Sequence, residues 1–390
     1  MRILMLHNRY KIPGGEDVST DMQVDLLRSN GHEVKLVEES NERVDILGAA
    51  RSAARSIWSP ESYERVNALL GAGRFDVMHV QNFFPLFSPS VYYAASRHGV
   101  PVVQSLRNFR LICPEGMLHR DGGLCTDCVG RRFAFPGVRH ACYRGSRAGT
   151  SVVASMSAAH RVAGTWRDRV SLFVTPSRYA AQMYERGGWA AESIATIPNF
   201  VHPDPGPGSG NGGYALFAGR LAPSKGVETL IEAWRSSGLN YPLKIVGDGA
   251  LRPIVEQAAL QNSSITYVGQ VPSEEVYDLM GDASFVVVPT VGVETFGRVA
   301  AEALAKGTPA LVSDLGGLAE IVDDRGTGLR FAPGDAQHLA DRVKWMVEHP
   351  NEVSAMRVKA RLVFRDRFSS RQAIRSWITA YQTVIDEDRH

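Results

Sequence analysis

Short apolar runs alternate along this chain with stretches in which apolar residues recur every three or four positions. In the first half, runs at 2–6, 33–37, 77–80, 100–104 and 172–175 read as strands. A helix over about 19–29 is bracketed by Gly14-Gly15 before it and by Asn30-Gly31, a C-terminal stop, after it. The alternation restarts at 214–218 and continues at 243–246, 265–268, 285–288 and 310–313, short runs suited to buried parallel strands. Between the first two of these, Val227, Leu230, Ile231 and Trp234 fall at i, i+3, i+4 and i+7, one apolar face of a helix. Between the two alternations lies 198–213, whose prolines and glycines neither a helix nor a central strand accepts. The pattern predicts an α/β protein of two Rossmann-like domains, 1–200 and 201–390, joined by a Pro/Gly linker, with a ligand cleft at the carboxyl ends of the strands.

Composition narrows the classes. A chain of 390 residues is long enough for two domains of ordinary size. The hydrophobic share of 44% and charged share of 22% exclude wholesale disorder, and 43 basic against 41 acidic residues argue against a dedicated nucleic-acid binder. The apolar run at 2–6 is too short for a signal-peptide core. The longest stretch without Asp, Glu, Lys or Arg, 77–96, is broken by Gln81, Asn82, Pro85 and Pro89 and cannot be a membrane span. The expectation is a cytoplasmic protein with reduced thiols. The turn after the first strand, 8–17, lacks the G-x-G-x-x-G of a dinucleotide dehydrogenase.

Candidate chemistry gathers in the second half. Gly219-Arg220-Leu221-Ala222-Pro223-Ser224-Lys225-Gly226 follows the first strand there and precedes its first helix, so two cations sit on a glycine-bounded loop suited to a diphosphate. Farther on, Glu294-Thr295-Phe296-Gly297 follows the strand at 285–288, and the spacing of Phe296, Val299, Ala300, Ala303 and Leu304 starts a helix near Thr295. Backbone N–H groups at such a start bind anions, whereas Glu294 before the helix and Glu302 within it are better explained as acceptors for sugar hydroxyls.

These motifs resemble the retaining glycosyltransferases of family 4, which have the GT-B fold, and the resemblance covers nearly the whole chain. Glu294 and Glu302 match the family's Glu-x7-Glu pair, Arg220 and Lys225 its diphosphate cations, and Gly14 and Gly15 its N-terminal glycine-rich loop. The resemblance implies a nucleotide-sugar donor, UDP- or GDP-linked, and a saccharide or lipid-linked acceptor in polysaccharide assembly. It implies that Arg220, Lys225 and Glu294 carry the chemistry, with no catalytic metal because the two cations replace one. Glu302 would hold the ribose, Thr295, Phe296 and Gly297 the sugar and phosphates, and Gly15 the diphosphate. Gly219 belongs to the diphosphate loop, and Gly247 and Val271 would border the base. A last helix over about 370–387 would return to the first domain. Where relatives carry a His after the strand at 100–104, this chain has Arg107, which can bind a hydroxyl or phosphate but cannot act as a base. The competing readings are a nucleotide-sugar epimerase of the same fold and a non-catalytic sugar-nucleotide-binding protein.

One segment stands apart. All four cysteines, Cys113, Cys125, Cys128 and Cys142, fall within an insertion at about 107–147. Four thiols with one close pair suit a structural zinc site, the alternatives being disulfides, free thiols or an iron–sulfur cluster. From 131 to 178 the chain carries nine Arg against the single acid Asp168, a basic face suited to an anionic membrane surface or simply to solvent.

Overall fold

The computed structural model describes residues 1–11, 14–236 and 238–388. The chain divides into two compact units. The first comprises Met1–Arg120, Cys125–Ile197 and the chain from Ala373 onward; the second comprises Asp121–Leu124 and Pro198–Gln372.

The first unit is built on strands β1 (Arg2–Arg9), β2 (Glu33–Ser40), β3 (Val77–Asn82) and β4 (Val102–Ser105). Next along the chain come β5 (His119–Arg120) and β6 (Gly123–Leu124), a two-stranded ribbon of which β6 is counted with the second unit, and then the first unit's β7 (Leu172–Thr175) and β8 (Ile194–Thr196). Apart from the ribbon these strands form one six-stranded sheet in the order β2-β1-β3-β4-β7-β8, parallel throughout. β1 is an interior strand, paired on both sides, and its apolar run Ile3 to Leu6 is wholly buried. The first helix spans Gly15–Ser29 and so begins at the glycine pair, four residues earlier than the pattern predicts. Gly14 is its N-cap, and Asp17 accepts a hydrogen bond from the Gly14 N–H at 2.8 Å. Residues 12 and 13 of that loop lie outside the described residues.

The second unit repeats the plan with β9 (Ala215–Ala218), β10 (Leu243–Val246), β11 (Ile265–Gly269), β12 (Phe285–Val288), β13 (Ala310–Ser313) and β14 (Gly328–Phe331). They pair in parallel in the order β11-β10-β9-β12-β13-β14. Alternate residues of each strand point to opposite faces, and the two faces carry separate cores. Phe217, Ile245, Val287 and Leu311 pack with Val227, Leu230 and Trp234 of the helix Val227–Ser236. Leu216, Val246, Val286 and Val312 pack with Ala300, Leu304, Phe364 and Phe368 on the other face. Such double burial explains why these strands read as continuous apolar runs.

β8 and β14 escape the sequence pattern. β8 is a three-residue strand and partly exposed, and β14 contains a Gly and an Arg among four residues. The segment 198–213 is not a loose linker. Its Gly208, Gly210 and Gly212 N–H groups donate to Lys306, Gly281 and Asp282 carbonyls at 2.9–3.0 Å. Arg361 pairs with Asp204 at 2.6 Å and Arg357 donates to the Gly208 carbonyl, so the segment is laced onto the second unit. Glycines are needed there because Gly208 lies directly against the backbone of Gly281.

Candidate functional site

In the second unit the loops after β9, β10, β11 and β12 leave the carboxyl ends of adjacent strands. Val246 of β10 stands level with Ala218 of β9 and Gly269 of β11, which brings Gly219, Gly247 and the turn leading to Val271 together at one sheet edge. Gly247 has φ +133°, and a side chain there would collide with the Gly219 carbonyl, so the close approach of these two loops requires glycine.

The two charged motifs meet. Lys225, at the end of the short helical turn Pro223–Lys225, donates through Nζ to Glu294 Oε1 at 2.6 Å. Thr290 donates to the same oxygen at 3.1 Å, and the Thr290 hydroxyl also lies 3.1 Å from the Ser224 carbonyl. Backbone N–H groups of Val291 and Gly292 bond that same carbonyl, each at 3.0 Å, locking the loop after β12 to the loop after β9. Arg220, on the same loop as Lys225, is exposed and has no ion-pair partner among the described residues.

Glu302 lies inside the helix Arg298–Ala305 and accepts from Arg298 Nη2 at 2.6 Å, an i,i+4 pair that is largely shielded. Tyr277 also bonds Glu302; burial first, and then the neighbouring carboxylate, hold its phenol well above the usual range. The expected helix start near Thr295 is corrected: the helix begins at Arg298, with Gly297 as a left-handed N-cap at φ +105°. Leu318 occupies the space where a side chain at 297 would go. Phe296, expected at the sugar, is 4% exposed and stacks edge-on with Phe368 at 5.7 Å, so its side chain belongs to the core and leaves only its backbone to a ligand. Thr295 stays partly exposed on that loop.

In the first unit Gly14 and Gly15 stand at the N-terminus of a 15-residue helix. Asp17 organises this start, meeting His7 Nε2 at 2.9 Å as well as the Gly14 N–H. Burial pushes its carboxyl up, but the His7 and Gly14 bonds outweigh that and hold it below the ordinary value. Arg107 follows β4 and is oriented by two amides, donating to Gln81 Oε1 at 2.9 Å and Gln23 Oε1 at 3.1 Å. Beneath it lies a buried network. His79 shares hydrogen bonds with Ser105 Oγ at 2.8 Å and Tyr381 OH at 2.7 Å, and Gln23 donates to Tyr381 at 3.1 Å. Burial and then the Arg107 charge hold the His79 imidazole well below its ordinary pKa, so it is a neutral strand-end bonding group.

All four cysteines are free thiols. Burial pushes the Cys128 thiol up to about 11, with Cys113, Cys142 and Cys125 adding to the rise. Among the described residues, no three His, Cys, Asp or Glu side chains already form a metal-holding group. Several arginines of the basic stretch are engaged locally: Arg161 over Trp189 at 4.6 Å, Arg169 over Tyr93 at 5.3 Å, and Arg167 paired with Asp168. Among the described residues no helix is long and apolar enough to cross a membrane.

Thr290, Tyr277, Arg298, Gln23 and Gln81 were not singled out by the sequence. Thr290 could have been found four residues before Glu294 at a strand end, but the two glutamines carry no local signal.

Two Rossmann-like units, each a parallel sheet buried on both faces with glycine-bounded loops at its carboxyl edge, define a protein of GT-B fold. Residues 14–200 match the family model "Glycosyl transferase 4-like domain" and residues 206–363 match "Glycosyl transferases group 1". The chain belongs to the family-4-type glycosyltransferases. It is similar to an uncharacterized glycosyltransferase of Methanocaldococcus jannaschii, 34% identical over 142 residues, 36% of this chain and 40% of that protein. Similarity to the phosphatidyl-myo-inositol mannosyltransferase of Mycobacterium leprae is lower but longer, 26% over 85% of this chain and 83% of that protein. In fold it resembles the Anabaena protein HepE in complex with UDP-glucose, with TM-score 0.67, 18% identity and 99% of each chain covered. The first curated relatives are matched over 35–46% of their own length.

Proposed function

We propose that this protein is a retaining glycosyltransferase that moves a sugar from a nucleoside-diphosphate sugar to a saccharide or lipid-linked acceptor in polysaccharide assembly. The observation that carries the reading is the meeting of Lys225 and Glu294 at 2.6 Å beside Arg220, from loops 69 residues apart. Two cations and a carboxylate at one strand edge match a donor that presents two phosphates and a polyhydroxylated ring. HepE, with UDP-glucose in its structure, supports a uridine nucleotide as the first to test.

In this reading Arg220 and Lys225 take up the negative charge that gathers on the diphosphate as its bond to the anomeric carbon breaks. Glu294, released from Lys225, accepts from sugar hydroxyls, and Glu302 accepts from the ribose. The acceptor oxygen bonds the anomeric carbon on the face the diphosphate leaves, and its proton passes to the departing phosphate oxygen. No protein nucleophile and no catalytic metal take part. Within the first unit, Gly14 and Gly15 at a helix N-terminus and the Arg107 guanidinium are themselves groups suited to an anion. The basic stretch with exposed Phe133 and Phe135 supports a peripheral contact with anionic membrane, which co-sedimentation with and without anionic lipid tests.

The deciding experiment is a thermal-shift titration with UDP, GDP, ADP and TDP on the parent chain and on Glu302→Ala. Stabilisation by one nucleotide, about 2.7 kcal/mol at a hundredfold excess over Kd, and its weakening in the variant are expected. A folded sample indifferent to all four would overturn the reading. With the donor known, product analysis separates transfer from epimerisation, since an epimerase releases an altered but intact nucleotide sugar.

A further inference from the structure

The cysteine segment has a defined backbone but little core of its own beyond Pro114, Gly116 and Leu118, which are buried around Cys113. Over 119–149 Gly137 is the only fully buried residue. The secondary structure there is slight: the two-residue strands β5 and β6, the five-residue helix Phe135–Arg139 and the start of the helix Arg147–Val162. Four of the chain's non-glycine residues with positive φ, Leu118, Asp121, Ala141 and Arg144, fall in or beside it. Left-handed backbone is strained for Leu, Ala and Arg, and little apolar burial over 119–149 is present to offset it. Small modules in this position are held by cross-links, and disulfides are absent.

The thiols are placed to supply one. Although they are spread over 30 residues, all six pairs among them lie within electrostatic reach of each other. The backbone is also shaped around individual sulfurs. The turn Cys113-Pro114-Glu115-Gly116 closes through a Gly116 N–H to Cys113 carbonyl bond of 2.8 Å, and the Glu115, Gly116 and Leu118 N–H groups face the Cys113 sulfur. The Gly137 N–H faces Cys128, and its carbonyl accepts from the Cys142 N–H at 3.0 Å. Backbone amides beside sulfur are usual outer partners of metal-bound cysteine. Cys113 and Cys128 also border one cavity with Pro114, Gly130 and Ala134.

We propose that Cys113, Cys125, Cys128 and Cys142 bind one zinc ion through four thiolates, as a structural clip that replaces a core for this segment. The side chains as they stand are not closed into a coordination set, so binding draws the four sulfurs together and releases their protons. The site lies within the first unit's cysteine segment and does not depend on the transferase reading.

The test is metal analysis of the full chain expressed in zinc-supplemented medium and desalted, with Cys125→Ser/Cys128→Ser alongside. One zinc per parent chain and loss of at least nine-tenths of it in the double variant are expected. Chelation of the parent chain should speed proteolytic cleavage within 119–146 by at least tenfold, with nucleotide stabilisation retained. If the variant fails to fold, cobalt exchanged into the parent chain must give the intense sulfur-to-metal absorption and visible bands of a tetrahedral tetrathiolate. Four thiols that titrate freely in a metal-free sample, zinc that survives the double substitution, or iron with acid-labile sulfide would each overturn the proposal.

Discussion

A lysine that is to stabilise a departing diphosphate has to be free to change partner. Lys225 is bound to Glu294 at 2.6 Å, yet its side chain is 36% exposed, and an ion pair that wet contributes only about 0–1 kcal/mol. In the proposed reaction a donor phosphate would therefore capture it at small cost. Lys225→Ala should lower kcat about 10²–10³-fold, as loss of one charge-stabilising donor does, while unfolding free energy changes by less than about 1 kcal/mol. A denaturant melt beside a turnover assay checks this; preserved turnover would remove Lys225 from the chemistry. His79 is the opposite case, fully buried and neutral with its pKa held down by burial and Arg107. The unfolded imidazole takes a proton near ~6.5, so the unfolded chain binds more protons below that pH. His79 thus contributes stability that is complete above about pH 6.5 and is lost as pH falls toward its folded pKa. His160, also shifted down mainly by burial, contributes in the same direction. His79→Gln should flatten, without abolishing, the fall of Tm between about pH 6.5 and 5; an unchanged slope would refute the assignment.

At the level of elements, the strands were legible because both faces of each sheet are covered and the sequence records it as apolar runs, uninterrupted in β9 and β12. β8 and β14 were illegible for the converse reason, being short and carrying polar or small residues. Of the candidate site, the meeting of Lys225 and Glu294 was legible, because opposite charges at the ends of neighbouring strands need an explanation beyond folding. Gln23 and Gln81 were not, since their meaning arises only when the first helix and β3 bring them against Arg107. The helix start was misplaced because Phe296 continues the apolar spacing although it belongs to the core ahead of the helix, and Gly297 sets the true boundary. Gly297→Ala should therefore destabilise the second unit by about 1–3 kcal/mol, from left-handed backbone strain and collision with Leu318. It should also weaken nucleotide stabilisation more than an Ala substitution at exposed Val358 does. A Gly297→Ala chain as stable as the parent would show that the cap is not constrained.

At the scale of the whole molecule, the chain leaves the first unit at Ile197 and comes back to it at Ala373. The returning helix, Ser370–Asp388, buries Trp377, Tyr381, Val384 and Ile385. Trp377 lies 4.9 Å from the His79 ring, centroid to centroid, and Tyr381 closes the hydrogen bonds of His79 and Gln23. The first unit is therefore incomplete in any fragment that stops at 197, where those buried polar groups lose a partner at about 1–3 kcal/mol each and four large side chains leave the core. The second unit, by contrast, has its two cores within 198–372. A 198–372 fragment should fold cooperatively, whereas 1–197 should show the broad melting and exposed apolar surface of a loosely packed state. Adding 373–390 to 1–197 through a flexible Gly/Ser linker should restore a sharp transition. Tyr381→Phe in the full chain isolates the polar part of that contribution, with an expected loss of about 1–3 kcal/mol. A 1–197 fragment that melts as sharply as the linked form would mean that the C-terminal helix is an appendage to this unit rather than part of its core.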